Sequence, residues 1–252
     1  MGRKTDGRVN TEDGEDITLA PLANARFPDT WRHDPNNDEH IYKAVARSES
    51  PQARFARGTA ADVSDIGSNK GINRIIKWDK RDQPPLVGLE AEIYAQLQDL
   101  DFPHMPKTFD LDTESIEMER LGDGLSLEDF AVAAASGLIS ENKWVDICKR
   151  CKKVIEEFHD LGMIHGDLHA GNIVIVLDTD KGFVPYLIDF AFSSHTEDVD
   201  KKIEQLEDRN VQFSQDHDFS QDGDWKRLEN GLFNMIEEQS PTFKMGIRAL
   251  CN

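Results

Sequence analysis

Apolar residues recur along the chain with two spacings, and each spacing predicts a different kind of element. From Ser140 to Gly162 they follow the three- and four-residue spacing of a strongly amphipathic helix, which the glycine would end. The segment from Leu86 to Leu100 has a helical spacing as well. Short β-branched or aromatic runs, among them INRIIKW, TFDLD, IVIV and PYLIDF, predict strands. The pattern therefore predicts a folded protein that contains both helices and strands.

Residues 1–50 show little sustained periodicity and contain charged runs such as TEDGED and RHDPNNDEH. Segments of this composition bury too little apolar surface to fold on their own. We predict that residues 1–50 form a polar N-terminal extension that is flexible or loosely packed. The pattern of strands and helices begins at about residue 51.

Composition limits the compartment and the kind of partner. With 252 residues, 38% of them hydrophobic, the chain can bury a substantial core. The net charge of −19 disfavours nucleic acid and anionic membranes and would favour a basic partner, although acidity also serves solubility. No apolar run is long enough to span a bilayer, and the N-terminus lacks a secretory signal. We therefore predict a cytoplasmic protein that does not bind nucleic acid or membranes.

Three cysteines are too few, and odd in number, for a disulfide framework. Cys148 and Cys151 form a CxxC spacing on the predicted amphipathic helix, without a second pair to complete a metal site. We therefore predict that they face the core in a reducing compartment.

Most of the candidate catalytic and metal-binding residues lie in one stretch, residues 162–192, GMIHGDLHAGNIVIVLDTDKGFVPYLIDFAF. Asp167 and Asn172 lie five positions apart in a glycine-punctuated loop that leads into a predicted strand. A polar turn and a second strand follow, and Asp189 lies at the end of that strand. Because a hairpin would bring the three together, two carboxylates and one amide oxygen would form a hard, oxygen-rich site. The sequence thus predicts binding of Mg²⁺, with Mn²⁺ as the alternative, together with phosphates.

These residues resemble the motifs of a known superfamily. HGDLHAGN resembles the protein-kinase catalytic loop HRDxxxxN, and IDFA resembles the DFG metal motif, its aspartate 17 residues after the asparagine. On this basis the chain is similar to the protein-kinase-like superfamily. The resemblance implies a two-lobed α+β fold, with a small β-rich N-lobe at 51–121 and a reduced helical C-lobe at 122–252. It also implies that Asp167 is catalytic and that Asn172 and Asp189 bind the metal ions.

The same resemblance implies where ATP would bind. The segment around Gly58, Ala61 and Val63 resembles a reduced glycine-rich loop in which one of three glycines survives. Small residues there let backbone amides approach the phosphates, and the valine could cover the adenine. The strand SIEMERL resembles the segment that joins the two lobes, which would place three further residues at the adenine: Met118, Glu119 and Leu121.

Lys77, at the end of the strand INRIIK, resembles the lysine that binds the α- and β-phosphates of ATP. In protein kinases a glutamate of the following helix holds this lysine in an ion pair. The predicted helix offers Glu90 for that role, and Glu92 is the alternative. Without the downstream motifs, an exposed lysine at a strand end would be the simpler interpretation.

Several positions depart from or extend the protein-kinase pattern. Gly166 replaces the arginine that pairs with an activation-loop phosphate, which predicts activity without such phosphorylation. His169 replaces a common lysine, and HGDLHxGN resembles the aminoglycoside and choline kinases of the same fold. Ala191 replaces the DFG glycine and removes backbone freedom. Further on, DWKRLENGLFNMI resembles the helix that supports the catalytic loop, with Asp224 as its anchoring acid.

Together these features predict an ATP- and Mg²⁺-dependent phosphotransferase. We expect a compact serine/threonine protein kinase, similar to atypical kinases or to the minimal kinases that some bacteria deliver into host cells. Its partner would be a protein substrate with a Ser or Thr hydroxyl, favoured if basic. A small-molecule kinase of the aminoglycoside or choline kinase type is the alternative enzyme. A pseudokinase that binds nucleotide and acts as an interaction module is the alternative outside enzymes.

Overall fold

The computed structural model divides the chain into two compact units, Met1–Arg32 and His33–Asn252. In the first unit, strands β1 (Val9–Asn10) and β2 (Asp16–Ile17) form an antiparallel pair. The other described elements belong to the second unit. The structure describes the following residues: 9–10, 16–17, 33–47, 61–80, 83–213, 217–235 and 241–251.

Helix α1 (Asp38–Arg47) corrects the prediction of a flexible or loosely packed extension over residues 1–50. Three of its side chains, Ile41, Ala44 and Val45, are buried. They lie three and four positions apart, so one face of the helix joins the core although its other residues are mostly polar. Lys143 also pairs with the carboxylate of the first helix residue, Asp38, at 2.5 Å. The prediction is therefore wrong for residues 38–47.

Four strands form an antiparallel sheet: β3 (Ala61–Asn69), β4 (Ile72–Asp79), β5 (Thr108–Leu111) and β6 (Ser115–Glu119). Their order in the sheet is β3-β4-β6-β5. The turn between β3 and β4 contains Lys70 and Gly71, whose φ angles are 52° and 81°. Two positive φ angles suit the twist of a tight hairpin, and glycine adopts such an angle readily. The hairpin fixes the position of β4 in the middle of the sheet.

Helix α2 (Val87–Asp99) follows and packs against the sheet. Asp79, the last residue of β4, fixes its start because Oδ1 accepts hydrogen bonds from the backbone N–H groups of Leu86 (2.8 Å) and Val87 (3.0 Å). A helix N-terminus otherwise leaves such groups without partners. The apolar face predicted from the sequence is buried up to Leu97, whereas Leu100 is exposed, and Glu90 is buried with that face.

Five further helices are described after the sheet: α3 (Leu127–Ala135), α4 (Glu141–Asp160), α5 (Val199–Asp208), α6 (Gln221–Met235) and α7 (Pro241–Cys251). The apolar stripe predicted for α4 is buried from Trp144 to Phe158. Cys148 and Cys151 belong to this stripe and are buried, as predicted, and both are free thiols. None of the described helices has both the length and the apolar character that crossing a membrane requires.

Two strand pairs frame the loop that follows α4. Strand β7 (Met163–Ile164) pairs with β10 (Ser194–His195), and β8 (Ile173–Asp178) pairs with β9 (Gly182–Leu187). All of these pairings are antiparallel. The β8–β9 hairpin is the one predicted from the runs IVIV and PYLIDF. Helices and antiparallel sheets thus coexist in the described residues, which is consistent with the α+β class.

Helices α4 and α7 approach each other closely at Gly246. The Trp144 ring of α4 stacks on Phe243 of α7, with 6.2 Å between ring centroids, and Nε1 donates to the Phe243 carbonyl oxygen at 3.1 Å. A Cβ atom at residue 246 would overlap the Trp144 indole. The absence of a side chain therefore allows the helix backbone to meet the indole.

We predict that Gly246→Ala lowers the free energy of unfolding by about 2 kcal/mol, because the indole and its hydrogen bond must shift. Gly231→Ala, in α6, is the matched control, since a Cβ atom there meets nothing within 4 Å. Alanine in that helix interior should stabilise the protein by about 0.5–1 kcal/mol. Urea unfolding measures both changes, and stabilisation by both substitutions would contradict the close packing of α4 and α7.

Candidate active site

Lys77 lies at the centre of a charge cluster that joins three elements. Its Nζ, on β4, is 2.6 Å from Oε2 of Glu90 on α2 and 2.9 Å from Oδ1 of Asp189, just after β9. Glu90 is only 1% exposed, whereas Glu92 on the same helix is exposed. Of the two glutamates considered from the sequence, the structure therefore places Glu90 against Lys77.

The charges of this cluster support one another. Burial would lower the pKa of Lys77, but the carboxylates of Asp189 and Glu90 raise it above its ordinary value. Burial raises the pKa of Glu90 to about 7, against the opposing effect of Lys77. Desolvation also raises the pKa of Asp189, yet the Lys77 ammonium outweighs it and holds that pKa below its ordinary value. A cationic lysine thus lies beside an ionised carboxylate.

Asp189 has a left-handed backbone, with φ 64° and ψ 65°, which is uncommon for a residue other than glycine. Phe190 follows it and is completely buried. The Phe190 ring meets Tyr94 of α2 edge to face, with 5.1 Å between ring centroids. Burial of this ring fixes the direction of the chain after β9, which compensates the backbone strain and holds the Asp189 carboxylate near Lys77.

The loop between β7 and β8 carries Asp167 and Asn172. The Asn172 side-chain amide donates from Nδ2 to the Asp167 carbonyl oxygen at 2.9 Å. The Asn172 carbonyl oxygen accepts the Ile188 N–H at 3.1 Å. This backbone bond brings Asn172 next to the end of the hairpin, where Asp189 follows Ile188.

Asn172 and Asp189 offer oxygen atoms of the kind that Mg²⁺ and Mn²⁺ prefer. Since the Asn172 Nδ2 is already bonded to backbone, the side chain presents Oδ1 as its acceptor. Asp189 has Oδ1 against Lys77, which would leave its second oxygen for an ion. The pair therefore fits a hard divalent cation that completes its coordination with phosphate oxygens and water.

Asp224 of α6 holds the loop between β7 and β8 through hydrogen bonds to its backbone. Its buried carboxylate accepts hydrogen bonds from the backbone N–H groups of His165 (2.8 Å) and Gly166 (2.9 Å). Nε2 of His159 lies 3.0 Å from the same carboxylate. Buried amides need such partners, so Asp224 makes the contacts expected of the anchoring acid.

His165 ties this loop to the segment around Asp189. Its fully buried ring donates from Nε2 to the Ile188 carbonyl oxygen at 3.0 Å and accepts the Asp167 N–H on Nδ1 at 3.3 Å. Burial lowers the pKa of His165, so the neutral ring can make both bonds. The Ser193 hydroxyl donates to the His165 carbonyl oxygen at 2.8 Å. Hydrogen bonds of His165 therefore join the loop to Ile188, just before Asp189, and to Ser193, a few residues after it.

The residues predicted to contact ATP lie on the sheet, as far as the structure describes them. Gly58 lies outside the described residues. Ala61 and Val63 lie on β3, and Val63 is the register partner of Lys77 on β4. In the predicted adenine segment, Met118 and Glu119 end strand β6, which pairs with β4, and Leu121 follows two residues after the strand. Their contacts with nucleotide stay predictions.

Two residues beside Asp167 were not predicted from the sequence. Arg227 of α6 donates from Nη1 to the Gly166 carbonyl oxygen at 2.6 Å and to Asp167 Oδ1 at 3.2 Å. His217 donates from Nε2 to the same carbonyl oxygen at 2.9 Å. They follow Gly166 by 61 and 51 residues, so no local motif includes them. The available signal was the three-residue spacing between Asp224 and Arg227 on one predicted helix.

The motifs of this site resemble those of the protein-kinase-like superfamily, and a comparison with protein-family models gives a more specific similarity. Residues 112–231, slightly less than half of the chain, match the sequence model of the lipopolysaccharide kinase (Kdo/WaaP) family. That family is a kinase family of the same superfamily. The matched segment contains the catalytic-type loop and the hairpin, whereas Lys77 and Glu90 precede it. No curated protein matches the chain.

Proposed function

We propose that the chain is an ATP-dependent phosphotransferase that transfers the γ-phosphoryl group to a hydroxyl group. The observation that carries the proposal is the contact of Lys77 with both Glu90 and Asp189, beside the loop that presents Asp167 and Asn172. In phosphoryl transfer the protein contributes mainly positioning and charge neutralisation. Each of these five residues has one such role.

Lys77, held by Glu90, would bind the α- and β-phosphates. Asn172 and Asp189 would hold Mg²⁺ or Mn²⁺, and the ion neutralises charge on the phosphates. The Asp167 side chain is 37% exposed, so an acceptor hydroxyl can reach its carboxylate. The donor and acceptor sides of the reaction are thus assigned to different residues.

The reaction balances without a further reactant. The acceptor oxygen forms a bond to the γ-phosphorus, the bond from that phosphorus to the β–γ bridging oxygen breaks, and ADP leaves with the bond's electron pair. The hydroxyl proton passes to the Asp167 carboxylate, which also orients the hydroxyl. The products are a phosphate monoester, ADP and a proton that Asp167 releases to solvent.

The match to a lipopolysaccharide kinase family supports a sugar hydroxyl as the acceptor. His169 supports it too, because protein kinases commonly have a lysine at this place in the loop. A Ser or Thr hydroxyl in a basic protein is the second candidate, favoured by the resemblance of HGDLHAGN and IDFA to protein-kinase motifs and by the net charge of −19. A sugar acceptor is therefore ranked first, and both are tested.

Transfer from γ-labelled ATP with Mg²⁺ tests the proposal, with lipopolysaccharide, a generic basic protein and water as acceptors. We expect labelled lipopolysaccharide with the wild type and about 100-fold less with Asp167→Asn, because asparagine cannot take the proton. ATP affinity should change by no more than about twofold, since Asp167 acts on the acceptor side. Asp180→Asn, on the exposed β8–β9 turn, is the matched control and should behave as the wild type.

The three acceptors separate the alternatives. Label on the basic protein instead of lipopolysaccharide would support the second acceptor. ATP binding without transfer to any acceptor, water included, would contradict the proposed reaction and support a nucleotide-binding interaction module.

A further inference from the structure

One turn of α6 holds Gly166 from two sides. The Asp224 carboxylate accepts the Gly166 N–H at 2.9 Å, and Arg227 donates to the Gly166 carbonyl oxygen at 2.6 Å. Residues three positions apart on a helix lie on the same face, so an aspartate and an arginine of one turn can both form hydrogen bonds with the same residue. Both backbone polar groups of the residue before Asp167 therefore have a partner on α6.

Arg227 also reaches the carboxylate of Asp167. Its Nη1 lies 3.2 Å from Oδ1, whereas Nε2 of His169 lies 4.0 Å from Oδ2, which is too long for a hydrogen bond. The Arg227 side chain is only 24% exposed, so water competes less for this contact than at an open surface. A charge-assisted bond to one oxygen restricts rotation of the carboxylate and directs the other oxygen toward an acceptor.

His217 strengthens this arrangement. It donates to the Gly166 carbonyl oxygen at 2.9 Å, and a carbonyl oxygen can accept from two donors. Burial and the neighbouring Arg227 cation lower the pKa of His217, so the imidazole ring beside Arg227 is neutral. The guanidinium is therefore the cation that faces Asp167 from α6.

We infer that Arg227 is a positioning residue for phosphoryl transfer, which orients the Asp167 carboxylate and fixes the peptide that precedes it. The inference rests on the proposed function. Protein kinases place an arginine at the position of Gly166, and a phosphate on the activation loop orders it. Arg227 instead brings a cation to the loop from a neighbouring helix, so the loop is held without a phosphate.

Three variants test the inference: Arg227→Gln, Arg227→Lys and the matched control Lys226→Gln. The control residue is one position away, 68% exposed, and contacts only Asp218 among the ion pairs of the described residues, at 3.4 Å. We expect Arg227→Gln to lower kcat for transfer about 10- to 100-fold, with the KM for ATP within about twofold of the wild type. Arg227→Lys should recover part of kcat, because an ammonium can bond one of the two acceptors but lacks the fork of the guanidinium.

Hydrogen exchange of the loop peptide, residues 163–172, gives a second measurement that does not need turnover. We expect its amides to exchange about 10-fold faster in Arg227→Gln and at the wild-type rate in Lys226→Gln. Wild-type kcat and wild-type loop exchange in Arg227→Gln would overturn the inference. Loss of ATP affinity in parallel with kcat would overturn it too, since a general structural role would then suffice.

The two measurements also separate this inference from the proposed function. If the wild type transfers no phosphate while Arg227→Gln still loosens the loop, the proposed reaction fails and the positioning contact stands. If the wild type transfers phosphate and Arg227→Gln changes neither kcat nor exchange, the reaction stands and the positioning role fails.

Discussion

Replacing Asp189 with asparagine is expected to lower phosphoryl transfer by about 1,000-fold, the largest loss of activity expected from one substitution. Asparagine keeps the size of the side chain and removes its charge. Asp189 is both the partner of Lys77, at 2.9 Å, and a proposed ligand of the divalent cation. Loss of the charged ligand removes about 4 kcal/mol of charge stabilisation from the transition state, which corresponds to a thousandfold in rate.

The dependence of the rate on Mg²⁺ concentration distinguishes this mechanism from simple misfolding. In Asp189→Asn we expect half-saturation at a higher Mg²⁺ concentration, and a lower kcat even when Mg²⁺ saturates. Lys77 keeps Glu90 as its partner at 2.6 Å, so ATP binding measured without metal should change little. Asp198→Asn, exposed nine positions later, is the control with the same charge change. An unchanged Mg²⁺ dependence in Asp189→Asn would mean that Asp189 is not a ligand of the metal ion.

The parts of the site that lie on continuous motifs could be predicted from the sequence. Asp167 and Asn172 share one loop, and the two strands after it form the hairpin that brings Asp189 back beside them. Turn chemistry and strand pattern are local, so they are readable without the tertiary structure. The roles assigned to these residues stay predictions until transfer is measured.

The choice between Glu90 and Glu92 depended on the face of a helix. Positions two apart on a helix point in nearly opposite directions, so only one of the two glutamates can face the sheet. Leu89, Ile93 and Leu97 mark the buried face, and Glu90 adjoins Leu89 on it. The apolar pattern therefore already favoured Glu90 over Glu92.

Arg227 and helix α1 could not be predicted, for different physical reasons. Arg227 meets Asp167 across 60 residues of chain, and its three-residue spacing from Asp224 does not by itself indicate that its side chain reaches the loop. Helix α1 buries Ile41, Ala44 and Val45 within a charged segment, and three apolar residues give too weak a pattern. Burial in both cases depends on surfaces supplied by distant parts of the chain.

Gly166→Ala is expected to lower the free energy of unfolding by about 3 kcal/mol and to abolish most of the transfer activity. Gly166 has a φ of +75°, and a Cβ atom there would lie 2.5 Å from the Phe192 carbonyl oxygen. The left-handed backbone alone costs alanine about 1–2 kcal/mol. Relief of the clash would move either the loop or the segment after Asp189, and both belong to the site. The larger arginine that protein kinases have at this place should therefore be excluded as well.

Gly137→Ala separates the two contributions to that loss. Gly137 has a φ of +76°, nearly the same as Gly166, but a Cβ atom there meets nothing within 4 Å. Its substitution should show only the backbone cost of about 1–2 kcal/mol, with transfer activity retained. Urea unfolding and the transfer assay, performed on both variants, measure the difference that the contact with Phe192 makes. Equal destabilisation and equal activity of the two variants would mean that Gly166 is required for its backbone angle and not for its contact with Phe192.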